Sequence, residues 1–491
     1  MTGTQNSLSH RKTALLLGSV TFFSFIYFYE GGGWNQNSRF DLLRAIVEQH
    51  TLQIDAFQQN TQDKAHFRGH YYSDKAPGQV FLAVPFAIAA RPAIRALGVD
   101  PQSSRGEFVL SFVVTACSAA LPTALAGICL FFLARRFGGN TSAAMFGILA
   151  TCLATPLWAY ASLFWAHALV GSCLVFAFAA ALKLRDSTTA GGDFLWALAT
   201  GLAAGWATVT EYPAAPASAI LGLFALSQAW PRGTAARWRT VAGVGAGAAV
   251  CIIVLLTYLH AAFGSFRPSY SYYDPNSFTF MQTHGYLGLT YPRPDRLFKL
   301  LFQCRRGLFF ASPVSIAAIP GLWLLWKQRE HHAAALTAAA VFAYYFLFNA
   351  SFYEWKAGQA FGPRYASASI PVLGLGIAVA WQHASPLWRR VLIALALGSL
   401  FIALMVVSTS SQLSMVDSCP ILHRSWPAFW SGQMAMNRES MLTAAEAAGN
   451  YSAFNLGQLL GLRGLASLIP LLAVWGGAGL MWWRIREPGP V

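Results

Sequence analysis

Long apolar runs recur from one end of the chain to the other, each of roughly 17 to 25 residues, the length at which an α-helix crosses the hydrocarbon core of a bilayer. With 55% hydrophobic and 11% charged residues among 491, the sequence reads as an all-α polytopic membrane protein. About twelve spanning helices are expected, near 13–29, 108–134, 142–161, 166–183, 194–210, 214–230, 240–262, 309–326, 333–349, 367–383, 391–408 and 464–482.

The net charge of +15 comes from 34 basic and 19 acidic side chains. The basic residues are scattered between apolar runs and form no single patch, which argues against nucleic acid as a partner. Their clusters, Arg11-Lys12, Arg135-Arg136, Lys183/Arg185, Arg232/Arg237/Arg239, Lys327/Arg329, Arg389-Arg390 and Arg484/Arg486, fall at every second gap. This positive-inside pattern puts both termini in the cytoplasm. Residues 79–97 break the alternation if counted as a span, so an interfacial or re-entrant helix is expected there. The first apolar run ends in FIYFYEGGG, with no small-residue cleavage site, and reads as a retained anchor. Of the seven cysteines, Cys117, Cys129, Cys152, Cys173 and Cys251 lie within apolar runs as packing residues, whereas Cys304 and Cys419 fall in outer loops, where a disulfide is permitted.

With this topology most carboxylates face outward, and the outer loops, 30–78, 263–308, 350–366 and 409–463, are the long ones. No inner loop is large enough for a nucleotide and no G-x-x-x-x-G-K-S/T or G-x-G-x-x-G element occurs, so ATP or a nucleotide sugar is excluded as a direct cytoplasmic substrate. In the first outer loop, NSRFDLLRAIVEQ spaces Phe40, Leu43, Ile46 and Val47 as one face of a surface helix, with Arg39, Asp41, Arg44 and Glu48 opposite. Downstream, Asp74 and Lys75 stand where the chain re-enters apolar surroundings, held by the turn at Pro77-Gly78. Lys75 is a candidate phosphate anchor; a snorkelling interfacial ion pair is the alternative. FYEWKAGQAFGPRYAS brings Glu354, Lys356 and Arg364 to the same side. His167 opens one helix and Glu211 closes another, where a carboxylate is expensive unless it faces a cavity; a packing role for His167 stays open. Arg305 and Arg306 lie outside against the positive-inside trend, which points to a bound anion or to lipid headgroups. Tyr72 and the tyrosines of RPSYSYYDPNSF, Tyr270, Tyr272 and Tyr273, suit stacking on sugar rings.

The surface helix followed by YYSDKAPG, the helix leading to ARRFGG, and the stretches RGLFFASPV and EWKAGQAFGPRYASASIPVLGLG resemble motifs of the GT-C membrane glycosyltransferases, nearest the protein O-mannosyltransferase and lipid A aminoarabinose transferase group. The likeness covers about the first 370 residues and is good for the fold, poor for the substrate. It implies a GT-C-like transmembrane catalytic module over 1–408, an outer region of unassigned role over 409–463, and a last transmembrane helix with a cytoplasmic tail over 464–491. It further implies transfer of a sugar from a polyprenyl-phosphate donor to a protein, lipid or glycan acceptor at the periplasmic face of a bacterial inner membrane, among membrane lipids.

Carried over by motif, Lys75 contacts the carrier phosphate with Asp74 as its acidic neighbour. Arg305, Arg306 and Arg364 are further phosphate-binding candidates, Asp41, Asp74, His167 and Glu211 catalytic ones, and Tyr72, Tyr272 and Glu354 substrate-binding ones. Two departures stand out. The acidic pair usual after the first span aligns near Asn35-Gln36, leaving Asp41 as the nearest replacement, and the second-loop acid aligns near His167. Some relatives use a divalent metal ion, for which Asp41, His167 and Glu211 are the available ligands. A flippase or transporter of a lipid-linked glycan, and a glycan polymerase or ligase, are the competing readings. Lys75→Ala is expected to abolish transfer and to spare the fold, on the view that Lys75 supplies charge and not packing.

Overall fold

The computed structural model describes residues 2–273, 278, 283–444, 446 and 453–485, with side chains from Ser9 onward. Helices account for nearly all of its regular structure: α1 (Thr2–Tyr27), α2 (Trp34–Gln49), α3 (Gly78–Ala96), α4 (Ser104–Thr115) running through a π-turn into α5 (Leu121–Arg136), α6 (Thr141–Leu153), α7 (Leu157–Ala161), α8 (Ala166–Leu184), α9 (Ala190–Thr210), α10 (Ala215–Ala229) and α11 (Thr234–Phe263), then helices at Pro294–Phe302, Ala318–Lys327, His332–Ser351, Ile370–His383, Pro386–Thr409 and Ile469–Ile485. Two short antiparallel ribbons complete it, β1 (Phe28–Glu30) against β4 (Ala453–Asn455) and β2 (Lys64–Phe67) against β3 (His70–Ser73).

Among the described residues eight helical segments are long and apolar enough to cross a membrane, including Gly78–Ala96 and the continuous Ser104–Arg136, and two further apolar helices, Thr141–Leu153 and Pro313–Lys327, are shorter. The helix expected over 142–161 is cut in two because Pro156 has no N–H to continue the ladder from α6 into α7. Residues 79–97, expected as interfacial, form a regular 19-residue helix of spanning length. The amphipathic helix at Pro294–Phe302 and the β2–β3 hairpin lie inside stretches read as outer loop.

Small residues set several close helix contacts, among them the one between α9 and α11. Gly201 and Gly205 of α9 face Gly243 and Gly247 of α11, so closely that a Cβ on Gly201 would come within 2.2 Å of the Val244 carbonyl oxygen. At the other end of the chain's first helix, Gly32 and Gly33 adopt φ of +90° and +95°, and a Cβ on Gly32 would lie 2.3 Å from the Glu439 backbone. Glycine is thus required where α2 turns off β1 beneath the 409–463 region.

The two ends of the bundle are chemically distinct. At one, Arg136 pairs with Asp186, Arg232 with Asp193, Arg185 donates to the Glu330 carbonyl, and Arg135 reaches His10 of α1 at 3.0 Å. At the other, the 409–463 region is fastened down. The buried Glu30 accepts from Ser410 Oγ at 2.9 Å, Ser411 N at 2.6 Å and Gln412 Nε2 at 3.3 Å. Arg44 of α2 grips both oxygens of Glu446 at 2.8 and 3.1 Å. A disulfide joins Cys304 to Cys419, with Cα atoms 5.0 Å apart.

Candidate active site

The turn between β3 and α3 is the centre of the polar end. Lys75 Nζ sits 2.7 Å from Asp74 Oδ2 and 2.7 Å from Asp63 Oδ2. Asp74 is wholly buried and also accepts from Tyr273 Oη at 2.7 Å and Ser38 Oγ at 3.1 Å. Burial pushes its carboxyl above the ordinary aspartate range, against the pull of Lys75. The turn is pressed onto the end of α9: a Cβ on Gly78 would meet Thr210 Oγ1 at 2.6 Å, one residue before Glu211. On the far side, Ser269 donates to the Asp74 carbonyl and shares a 3.1 Å hydrogen bond with Tyr212.

Glu211, in the break between α9 and α10, begins a chain of contacts. Its Oε1 lies 2.7 Å from His167 Nδ1 at the start of α8, and His167 Nε2 accepts from Arg364 Nε at 3.2 Å. Arg364 donates a second bond to the Ala357 carbonyl at 3.0 Å and lies 4.1 Å over the ring of Trp165. Although burial raises Glu211, the charges of His167, Arg39 and Arg364 hold its carboxyl below the ordinary range. Arg39, one turn along α2 from Gln36, stands within the fields of Glu211, Tyr270, Asp74 and Arg364. Four guanidinium, ammonium or imidazole groups and three carboxylates from five separate segments thus share one buried neighbourhood, in a chain that is otherwise mostly apolar.

The sequence candidates divide. Asp74, Lys75, His167, Glu211 and Arg364 are brought together. Asp41 is apart from them: its Oδ1 accepts from Asn60 at 3.2 Å, its Oδ2 has no partner, and the charges nearest it are Arg44, Glu446 and Lys64. Burial pushes its carboxyl well above the aspartate range. Arg306 is engaged by backbone: it donates to the carbonyls of Lys356 at 2.7 Å and Arg305 at 3.1 Å, and to those of Gly358 and Ala360. Arg305 donates to the carbonyls of Val416 at 2.9 Å and Asp417, beside the disulfide. Both hold loops in place. Tyr272 stacks face to face on Phe263 at 4.6 Å and Tyr72 packs against the same ring at 5.1 Å. Glu354 is half-buried on the Arg306-held loop, where its field reaches Tyr365. Among the described residues no three His, Cys, Asp or Glu side chains gather as a metal site, so Asp41, His167 and Glu211 do not assemble into one.

Sequence reasoning did not single out Asp63, and it placed Arg39 only on the charged face of the surface helix. Neither position carries a local signal. Gln36, where the resemblance leads one to look for an acid, is a structural anchor instead: it donates to the carbonyls of Glu30 at 3.0 Å and Gly32 at 2.6 Å and accepts from Phe164 N at 2.9 Å.

No protein-family model matches the sequence, and no curated protein sequence matches it. Solved structures do. ArnT from Cupriavidus metallidurans bound to undecaprenyl phosphate superimposes with a TM-score of 0.54 at 18% identity, over 98% of this chain and 76% of that one. The chain has the fold of ArnT, a GT-C glycosyltransferase. The apo state of ArnT aligns with a TM-score of 0.51 at 16% identity over 99% of this chain and 76% of that one. The archaeal oligosaccharyltransferase AglB from Archaeoglobus fulgidus, in complex with an inhibitory peptide and a dolichol-phosphate, aligns with a TM-score of 0.41 at 13% identity over 80% and 54%. The GT-C resemblance first carried by YYSDKAPG therefore extends to the architecture of the whole chain.

Proposed function

We propose that this protein transfers a sugar from a polyprenyl-phosphate-linked donor to an acceptor at the periplasmic face of a bacterial inner membrane, with both termini in the cytoplasm. The observation that carries this reading is the convergence of Lys75, Arg364, Arg39, His167, Asp63, Asp74 and Glu211 at the end of the bundle opposite the Arg136–Asp186 and Arg232–Asp193 pairs. A fold shared with a protein crystallised with undecaprenyl phosphate supports the donor class.

The contacts support the following sequence of roles on this reading. In the resting state Lys75 bridges two carboxylates. A donor phosphate draws Lys75 and Arg364 toward its oxygens, where positive charge stabilises the departing phosphate. Lys75 then leaves Asp63, the carboxylate of the trio with the more open side chain, at 12% exposure against 0% for Asp74. Asp63 so freed takes the proton of the acceptor hydroxyl as that oxygen attacks the anomeric carbon. The bond from that carbon to the phosphate oxygen breaks, polyprenyl phosphate leaves with the electron pair, and the anomeric centre inverts. The sugar and the acceptor class depend on the shape of the site and not on the fold.

The test is the purified protein in liposomes carrying a polyprenyl-phosphate sugar and a candidate acceptor. Release of polyprenyl phosphate with a new glycosidic bond supports the reading. Movement of intact donor across the bilayer without bond breakage makes the protein a flippase.

A further inference from the structure

The cations of the polar cluster differ in how they are neutralised. Lys75 sits between two carboxylates, and Arg364 is tied through His167 to Glu211. Arg39 forms no ion pair among the described residues. It is 3% exposed, its Nη1 bonds to its own helix at Asn35, and its Nε has no hydrogen-bond partner. A guanidinium that is desolvated and unpaired is strongly unfavourable, and proteins retain such groups where a ligand completes them.

A second unsatisfied donor lies close by. Trp165, 1% exposed, carries Arg364 on its ring while its Nε1–H has no partner. Gln36 and Arg39 lie three residues apart on one face of α2, and Gln36 binds the backbone of Phe164, the neighbour of Trp165. Ser38, between them in sequence, binds Ser73 at 2.8 Å and Asp74 at 3.1 Å. Two N–H donors, Arg39 Nε–H and the Trp165 indole N–H, are thus left unsatisfied beside the positive charge of Arg364, which suits an oxyanion, while Gln79, whose amide binds the Trp165 carbonyl, leaves its Oε1 as an unsatisfied acceptor in the same place.

Resting on the donor reading above, we infer that Arg39 is the primary anchor of the donor phosphate: its Nε–H, with the Trp165 indole N–H and Arg364, receives the phosphate oxygens first, and Lys75 moves over from Asp63 only afterwards. On this assignment Arg39 is a specificity residue for an anionic carrier, and Glu211 and His167 are positioning residues that hold Arg364 against Trp165.

Farnesyl phosphate, as a short-chain carrier, and inorganic phosphate are titrated by tryptophan fluorescence against the full-length protein in nanodiscs, for wild type, Arg39→Gln, Arg39→Lys and the surface control Lys299→Gln. The melting temperature of each unliganded protein is measured alongside. Arg39→Gln weakens farnesyl phosphate binding about ten- to a hundredfold, the scale of a charge-assisted hydrogen bond. Its unliganded melting temperature equals or exceeds that of wild type, because an unpaired buried charge is removed. Arg39→Lys loses less affinity, and Lys299→Gln loses none. Binding of farnesyl phosphate in preference to inorganic phosphate identifies the lipid-linked source; equal binding identifies a free-phosphate site and overturns the carrier assignment. Wild-type affinity in Arg39→Gln, or a fall in its stability with affinity retained, overturns the role of Arg39 and leaves the donor reading standing. Failure of wild type to bind farnesyl phosphate overturns the donor reading itself.

Discussion

Removing the ammonium of Lys75 leaves two carboxylates facing one another across a buried gap, because Lys75 Nζ is 2.7 Å from an oxygen of each and Asp74 has no solvent exposure. Breaking a buried ion pair from one side costs about 3–5 kcal/mol, chiefly the penalty of the charge left behind. For a chain of this length about 1 kcal/mol corresponds to one degree, so Lys75→Ala lowers the apparent melting temperature by about 3–5 °C at pH 8. The loss depends on pH with a definite sign. Burial already raises the folded-state value of Asp74, and loss of Lys75 raises it further. A carboxyl whose folded value lies above its unfolded one contributes stability that is full below the unfolded value and lost as pH rises through the folded one. The deficit of Lys75→Ala is therefore largest at pH 8 and shrinks toward pH 5, and the double variant Lys75→Ala/Asp74→Asn recovers most of it. Thermal unfolding in detergent across that pH range measures both. A Lys75→Ala protein as stable as wild type at pH 8, or a deficit that does not change with pH, would show that Lys75 does not neutralise Asp63 and Asp74 in the folded protein.

Four further outcomes follow from the same contacts. Glu211→Gln removes a carboxylate held below its ordinary range; the wild type loses that contribution as pH falls through the folded value, so the variant shows a flatter decline in melting temperature below about pH 4, and an unchanged acid limb contradicts the His167 and Arg364 contacts. Arg306→Lys keeps the charge but cannot reproduce a fork onto several carbonyls, so it loses stability by about 2–3 kcal/mol in thermal unfolding; wild-type stability returns Arg306 to the phosphate-binding set. Cys304→Ser destabilises by about 2–5 kcal/mol, as does treatment of the wild type with reductant, and no shift in either contradicts the bridge. Asp41→Asn leaves transfer within about twofold of wild type at pH 7.5, since its buried carboxyl is pushed toward the neutral form; abolished transfer makes Asp41 the base.

The helical membrane architecture was legible because each spanning run must satisfy its own backbone in the bilayer, a constraint that writes itself into hydropathy. Breaks at Pro156 and Pro313 were less visible, since runs that are apolar throughout hide a helix end. In the candidate site, Asp74-Lys75, His167, Glu211 and Arg364 stand out in the sequence because a charge at the edge of an apolar run is costly and therefore conspicuous, and the structure brings them together. Asp63 and Arg39 were missed because they lie in a polar stretch where charge is unremarkable, and only the hairpin at 64–73 and the packing of α2 fold them inward. Arg305 and Arg306 differ. A charge on the wrong side of the membrane was read as a ligand site, while each guanidinium holds loop carbonyls. The expectation that Lys75→Ala leaves stability untouched did not include the pairing of Lys75 with Asp63, which spans twelve residues and leaves no local signature.

On the proposed function, the polar cluster around Lys75 breaks a bond between a sugar and a lipid-linked phosphate. Release of polyprenyl phosphate from a radiolabelled polyprenyl-phosphate sugar is to be followed in proteoliposomes of wild type and of Arg364→Gln, a variant whose side chain lies in the cluster but outside the Lys75 trio. Release coupled to a new glycosidic bond is expected in wild type and is lost in the variant. Transport of intact donor by wild type, with no release, would contradict the proposed function.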